Sequence, residues 1–370
     1  MACVCSTLLA LLLSAPSGAA SPVPWQVAAA GAPPAWPTAD GAGVVVAVVD
    51  SGVDADHPDL AGAVLPGRSY VDADPGAEPR LLALGSDEDP VYERAFGQAD
   101  PVGHGTAVAS LIAARPVGGR PGMAPAAEIL PVRVLDDENR YHDSSMVGAA
   151  VRWAVDNGAD VVNLSLGGHY DSAPFAEAVA YAERHDVVVV ACTGNLKPDD
   201  AGADGAGGEE EVWFPARIDT VLAVTGTDRE GERWRTAVAG EGTDLAAPGA
   251  ELTAADAAGG HRTVTGTSFA AAIVSGAAAL VRSAHPDWTA AQVRRALTST
   301  AHPAGAGLGA GIVDAAAAVA ADPPPAEVSA SVPAVWSAAA TAAGGGLLGL
   351  GALLLRGRRR FGVRARTMTG

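Results

Sequence analysis

The sequence predicts an α/β fold with a mainly parallel central sheet flanked by helices. The run 44–49 is β-branched almost throughout, as in a strand buried on both faces. Helical spacing over 173–185 followed by a strand over 186–191 completes a βαβ unit. The composition agrees: 49% apolar residues, 45 glycines and only 5% aromatics suit a core rich in Val, Ala and Gly.

The chain opens with an apolar core, Leu8 to Leu13, followed by Pro16 and the small residues Gly18, Ala19 and Ala20. It reads as a secretion signal over 1–20, although no Lys or Arg precedes the apolar run. Cys3 and Cys5 fall inside it, so Cys192 is expected alone in the mature chain, as a buried and inert thiol. Residues 21–42 form a short extension rich in Pro and Ala. About twenty residues cannot bury a core of their own, so this segment is expected to lie against the domain that follows.

Three stretches carry chemistry. The strand 44–49 ends at Asp50-Ser51-Gly52-Val53-Asp54, a turn, which places Asp50 at the carboxyl end where open α/β sheets form sites. Gly103-His104-Gly105-Thr106 opens a small-residue helix. Gly266-Thr267-Ser268-Phe269-Ala270 delivers a serine to the first turn of another, where free N–H groups favour developing negative charge. Alone, Ser268 reads as an N-cap on a buried Ala-rich helix. Together, His104 can take the proton of Ser268, and Asp50 can fix the imidazole tautomer. The order Asp, His, Ser is that of the subtilisin type, not of the chymotrypsin or α/β-hydrolase type.

These blocks, with Val48-Val49 before Asp50, resemble the subtilisin-family (subtilase) serine proteases over roughly 44–320. The resemblance implies a three-layer subtilisin-like catalytic domain over 43–320, hydrolysing peptide bonds through an acyl-enzyme. It implies catalytic Asp50, His104 and Ser268, and Asn195 of Thr193-Gly194-Asn195 as the side-chain donor of the oxyanion hole. It further implies that Ser165, Leu166 and Gly167 contact substrate on a strand that lines the primary specificity pocket. Segments 129–135, 214–216, 221–224 and 244–249 are similar to the family pattern. No cofactor is implied.

Between these blocks, 70–101 gathers acids and reads as an insertion loop. Clustered acids could hold calcium, as in many subtilases, but no stretch has a ligand spacing, so no metal site is assigned. A helix is expected over 144–157, with Ser144 as N-cap, Gly158 as stop, and Met146, Ala149, Ala150, Trp153 and Ala154 on one face. The acidic insertion after Lys197, ending in Glu209, Glu210 and Glu211, either favours basic substrate residues or is a solvated loop. Helices at 289–299 and 312–320 close the domain.

Residues 321–335 form a linker containing proline, and 328–355 contain no charged residue. The twenty residues 336–355 are long enough to span a bilayer. Six arginines follow within 356–370, so the tail is expected in the cytoplasm and the catalytic domain outside. With those six set aside, 18 basic residues face 42 acidic ones, a net charge of −24, which argues against nucleic-acid binding. Signal, subtilase domain, linker, span and basic tail together resemble the mycosins, membrane-anchored proteases associated with type VII secretion. That resemblance implies a protein or peptide substrate, the membrane and secretion components as partners. It leaves open a structural role in which cleavage is dispensable, or a generic cell-surface protease.

Overall fold

The structure, a computed structural model, describes residues 23–71, 98–116, 120–197 and 211–323. In chain order its elements are helices α1 (Trp25–Ala29) and α2 (Ala32–Ala35), strands β1 (Val45–Asp50) and β2 (Arg68–Ser69), and helix α3 (His104–Ala113). Strand β3 (Glu128–Arg133), helix α4 (Ser144–Asp156), strand β4 (Val161–Leu164), helix α5 (Ala173–Arg184) and strand β5 (Val188–Cys192) follow. The rest comprises β6 (Val221–Thr227), β7 (Leu245–Pro248), β8 (Leu252–Ala255), β9 (His261–Val264), α6 (Thr267–Ala284), α7 (Ala290–Ser299) and α8 (Ala315–Val319).

Seven strands form one sheet in the order β2-β3-β1-β4-β5-β6-β7. Every neighbouring pair is parallel, whereas β8 and β9 pair antiparallel as a hairpin. Alternation along each strand divides the core. Val46 and Val48 of β1 and Val188, Val190 and Cys192 of β5 face the layer of α3 and α6. Ala47, Val49, Val189 and Ala191 face the layer of α4 and α5. This is the period-two pattern of a strand covered on both faces, and it yields the expected three-layer α/β fold. β1 lies between β3 and β4, so the order reverses there, and Asp50 ends β1 at that switch point.

Two helices differ from their sequence reading. Asp143, not Ser144, caps α4, accepting from Ser145 N at 2.8 Å. Its buried face is Val147, Ala150, Val151, Ala154 and Val155, and Ala149 is exposed. α8 starts at Ala315 rather than at 312, because Ile312 pairs with Ala246 and His302 as extended chain, and Asp314 supplies the cap.

The extension preceding β1 packs on the domain. Val27, Ala30, Ala32 and Ala35 are buried. The Gln26 amide donates to Thr253 O at 2.8 Å, and the Trp36 indole to Met123 O at 2.9 Å. Among the described residues, one helix, α6, is long and apolar enough to cross a membrane. It is the core helix, buried from Thr267 to Arg282. The signal segment 1–20, the candidate span 336–355 and the tail 356–370 lie outside the described residues, as do 72–97 of the acidic insertion. Among the described residues, no group of three or more His, Cys, Asp or Glu could hold a metal ion.

Candidate active site

The carboxyl ends of β1, β4 and β5 and the amino ends of α3 and α6 converge on one cleft of about 470 Å³. His104, Ser165, Leu166, Gly167, Asn195 and Ser268 all line it. Asp50 lies behind His104, fully buried.

Asp50 Oδ1 accepts from His104 Nδ1 at 2.7 Å and from Ser51 N at 2.7 Å. The close approach of α3 to β1 depends on Gly105. A Cβ there would fall 2.1 Å from Gly52 O and 3.1 Å from Asp50 Cβ. Burial, the largest single influence, pushes the His104 imidazole pKa down, and the charge and hydrogen bond of Asp50 push it up. Asp100 adds to the rise and Arg262 opposes it, and the net position is above the ordinary 6.5.

Asp100 holds the loop that presents His104. Its Oδ1 accepts from Ser51 Oγ and Gly103 N, each at 2.8 Å, and its Oδ2 from Thr106 N at 2.8 Å and Thr106 Oγ1 at 2.6 Å. Ser51 Oγ in turn accepts from Gly105 N at 3.0 Å. One buried carboxylate thus satisfies backbone N–H groups at the start of α3 and the Ser51 hydroxyl in the turn after β1. An amide in its place would aim an N–H at one of these donors. Asp100→Asn is therefore expected to cost roughly 1–3 kcal/mol of stability, the scale of an unsatisfied buried group. It should also move the acid limb of any His104-dependent rate to lower pH. Thermal unfolding with a pH–rate profile checks both, and an unmoved limb would reduce Asp100 to a structural brace.

Ser268 is the second residue of α6, where an N–H has no partner inside the helix. Its Oγ donates to Ser165 O at 3.1 Å, and Ser165 Oγ lies 2.8 Å from Ser268 O. The hydroxyl is thus hydrogen-bonded to Ser165 O rather than to His104; catalytic hydrogen bonds are often long or poorly aligned before substrate binds. The Phe269 ring packs 5.3 Å from the His104 ring.

Asn195 is oriented by hydrogen-bond chemistry. Its Oδ1 accepts from Thr267 N at 3.0 Å and Thr267 Oγ1 at 3.2 Å. The atom facing a backbone N–H must be the oxygen, so Nδ2 is the end left to donate into the cleft. Thr267 also ties α6 to Gly194, through Gly194 N at 3.3 Å and Gly194 O at 3.1 Å. Cys192 shares the cleft lining, and burial pushes its thiol up to about 11, so it stays protonated near neutrality.

Six of the seven residues singled out in the sequence line this cleft, and the seventh, Asp50, reaches it through His104. Ser165 differs in one respect, since its hydroxyl is buried within the protein and also lies 2.9 Å from Asn163 Oδ1. Asp100, Thr267 and Trp213 are functional neighbours that carry no motif of their own in the sequence. Asp100 stands four residues before His104 and Thr267 beside Ser268, so their proximity was the available signal.

The profile described as Subtilase family matches residues 41–325. Subtilisin BL from Lederbergia lenta is 35% identical over 300 residues, covering 80% of this chain and 98% of its own length. Among solved structures, MycP1 with its N-terminal propeptide removed aligns with a TM-score of 0.68 at 30% identity, covering 83% of this chain and 99% of that one. The MycP3 protease from the type VII (ESX-3) secretion system aligns with a TM-score of 0.65 at 32% identity, covering 83% of this chain and 90% of that one.

Proposed function

The chain belongs to the subtilase family and is a subtilisin-type serine endopeptidase, and from that premise we propose that Ser268 is its nucleophile, His104 its general base, Asp50 the group that orients the imidazole, and Asn195 an oxyanion donor. The observation that carries this reading is the 2.7 Å Asp50–His104 couple opening onto the cleft that Ser268 and Asn195 share. Ser268 Oγ attacks the carbonyl carbon of the scissile peptide while its proton passes to His104 Nε2. The oxyanion accepts from Asn195 Nδ2 and the Ser268 N–H. Collapse breaks the C–N bond, and His104 returns the proton to the departing amine. Water, activated by His104 in the same way, then releases the acyl group. Ser165, Leu166 and Gly167 pair with extended substrate through their backbone. A serine-directed phosphonylating reagent is expected to label Ser268 in the wild type and not in His104→Ala. Labelling of another serine, or undiminished labelling of the histidine variant, overturns the assignment.

We further propose that the protein is a membrane-anchored mycosin serving a type VII secretion complex. Its likeness to the MycP1 and MycP3 structures supports this, as do the uncharged segment 336–355 and the six arginines after it. The organisation proposed is signal 1–20, extension 21–42, catalytic domain 43–320, linker 321–335, span 336–355 and cytoplasmic tail 356–370. Arginine near the centre of a spanning helix costs roughly 2.5–3.5 kcal/mol on insertion scales. Leu347→Arg combined with Leu350→Arg is therefore expected to release or degrade the protein. Ser268→Ala should remain membrane-bound and still support complex assembly. Membrane fractionation and native gels of the secretion complex check this. A double-arginine variant that stays anchored refutes the span, and loss of the complex in Ser268→Ala refutes a scaffold role independent of cleavage.

A further inference from the structure

We infer that Trp213 forms the back wall of the primary specificity pocket and restricts the residue on the acyl side of the scissile bond to small side chains without positive charge, alanine above all. This rests on the endopeptidase reading above. The strand end carrying Ser165, Leu166 and Gly167 forms one wall of the pocket, and the turn carrying Gly194 and Asn195 the other. Trp213 lies on the segment that ties the two walls together. Its N–H donates to Thr193 O at 2.9 Å on one side. On the other, Phe214 N donates to Gly168 O at 2.8 Å, and Gly168 N to Phe214 O at 2.9 Å.

The indole lines the cleft between these walls. It sits so close to Gly194 that a Cβ there would lie 2.3 Å from indole Cδ2. Gly194 also has φ +115°, a conformation that other residues rarely adopt, so this position admits the ring only as glycine. The His169 ring packs 5.0 Å from the indole centroid. The indole Nε1 is buried and meets no acceptor among the described residues. What Trp213 presents to the cleft is therefore hydrocarbon. Leu166 and Phe269 add further apolar lining, and no described carboxylate lines the cleft to receive a basic side chain. A large side chain would have to displace an indole packed against Gly194 on one face and beside the His169 ring, whereas a methyl group would not.

The test uses quenched peptides identical except for Ala, Ser, Leu, Phe or Lys on the acyl side of the cleaved bond. The wild type is expected to favour Ala over Phe by about 100-fold in kcat/KM, the scale at which an apolar pocket discriminates by size. Trp213→Gly should raise kcat/KM on the Phe peptide about 100-fold, and Trp213→Phe should keep most of the preference for Ala. Wild-type cleavage of Phe or Leu peptides as fast as Ala peptides overturns the inference, whether or not Trp213→Gly folds. Binding of the same peptides to Ser268→Ala separates the two readings. If the wild type cleaves none of them, the nucleophile assignment fails, and the binding order alone decides whether the pocket excludes large side chains.

Discussion

Ser268→Ala is expected to lower kcat about 10⁶-fold while leaving the fold intact; the magnitude is that known for the same loss in subtilisin, a member of this family. The hydroxyl contributes one neutral hydrogen bond, to Ser165 O at 3.1 Å. Alanine suits α6, whose neighbouring residues Ala270, Ala271 and Ala272 are already buried. Stability should therefore change by less than about 1 kcal/mol. His104→Ala is expected to match the kinetic loss, since nucleophile and base act as one unit, but not the stability. It strips a buried Asp50 carboxylate of a hydrogen bond made at 2.7 Å. The two variants should thus have equal rates and unequal melting temperatures, with the histidine variant melting lower. Peptide hydrolysis and thermal unfolding of both decide this. More than about 1% residual activity in Ser268→Ala would exclude it as nucleophile.

The parts of this molecule legible in the sequence are those where one residue type admits one environment. The run 44–49 has no polar position, so it can only be a strand covered on both faces, and Asp50 then marks the carboxyl end of β1. Neighbouring residues with similar capabilities are where the sequence misleads. Asp143 and Ser144 both can cap α4, and Asp143 does so while Ser144 Oγ accepts from Ser172 Oγ at 2.8 Å. The buried face centres on Val147, Ala150, Val151, Ala154 and Val155, while Met146 and Trp153 pack half-buried against it and Ala149 is exposed. In the site, Asp50, His104, Ser268 and Asn195 stand out through their motifs. The direction of the Asn195 amide does not, because Thr267, 72 residues away, sets it. Trp213 is equally silent in sequence, since its effect depends on meeting Gly194 across a turn.

Asp50→Ala is expected to lower kcat about 10⁴-fold, near the scale of the equivalent loss in subtilisin, and its pH signature separates charge from geometry. With His104 as the proposed base, activity requires its neutral form, so the wild-type rate should fall as pH drops through the raised pKa of that residue, above 6.5. Burial alone pushes this imidazole down, and Asp50 is the main opposing influence. Removing Asp50 therefore shifts the acid limb to lower pH even as the rate collapses. Asp50→Asn sharpens the distinction. Ser51 N donates to the same oxygen as His104 Nδ1, so the amide oxygen is held in that place and the imidazole keeps its tautomer. The amide nitrogen then occupies the site of Oδ2, which is buried without a partner. The asparagine variant should accordingly lose charge and some stability but retain orientation. Its rate loss should fall short of the roughly 10⁴-fold that a wrong tautomer brings, while its acid limb moves down as in the alanine variant. An acid limb that stays in place in both variants would mean that Asp50 does not set the basicity of His104, and its role would reduce to holding the ring.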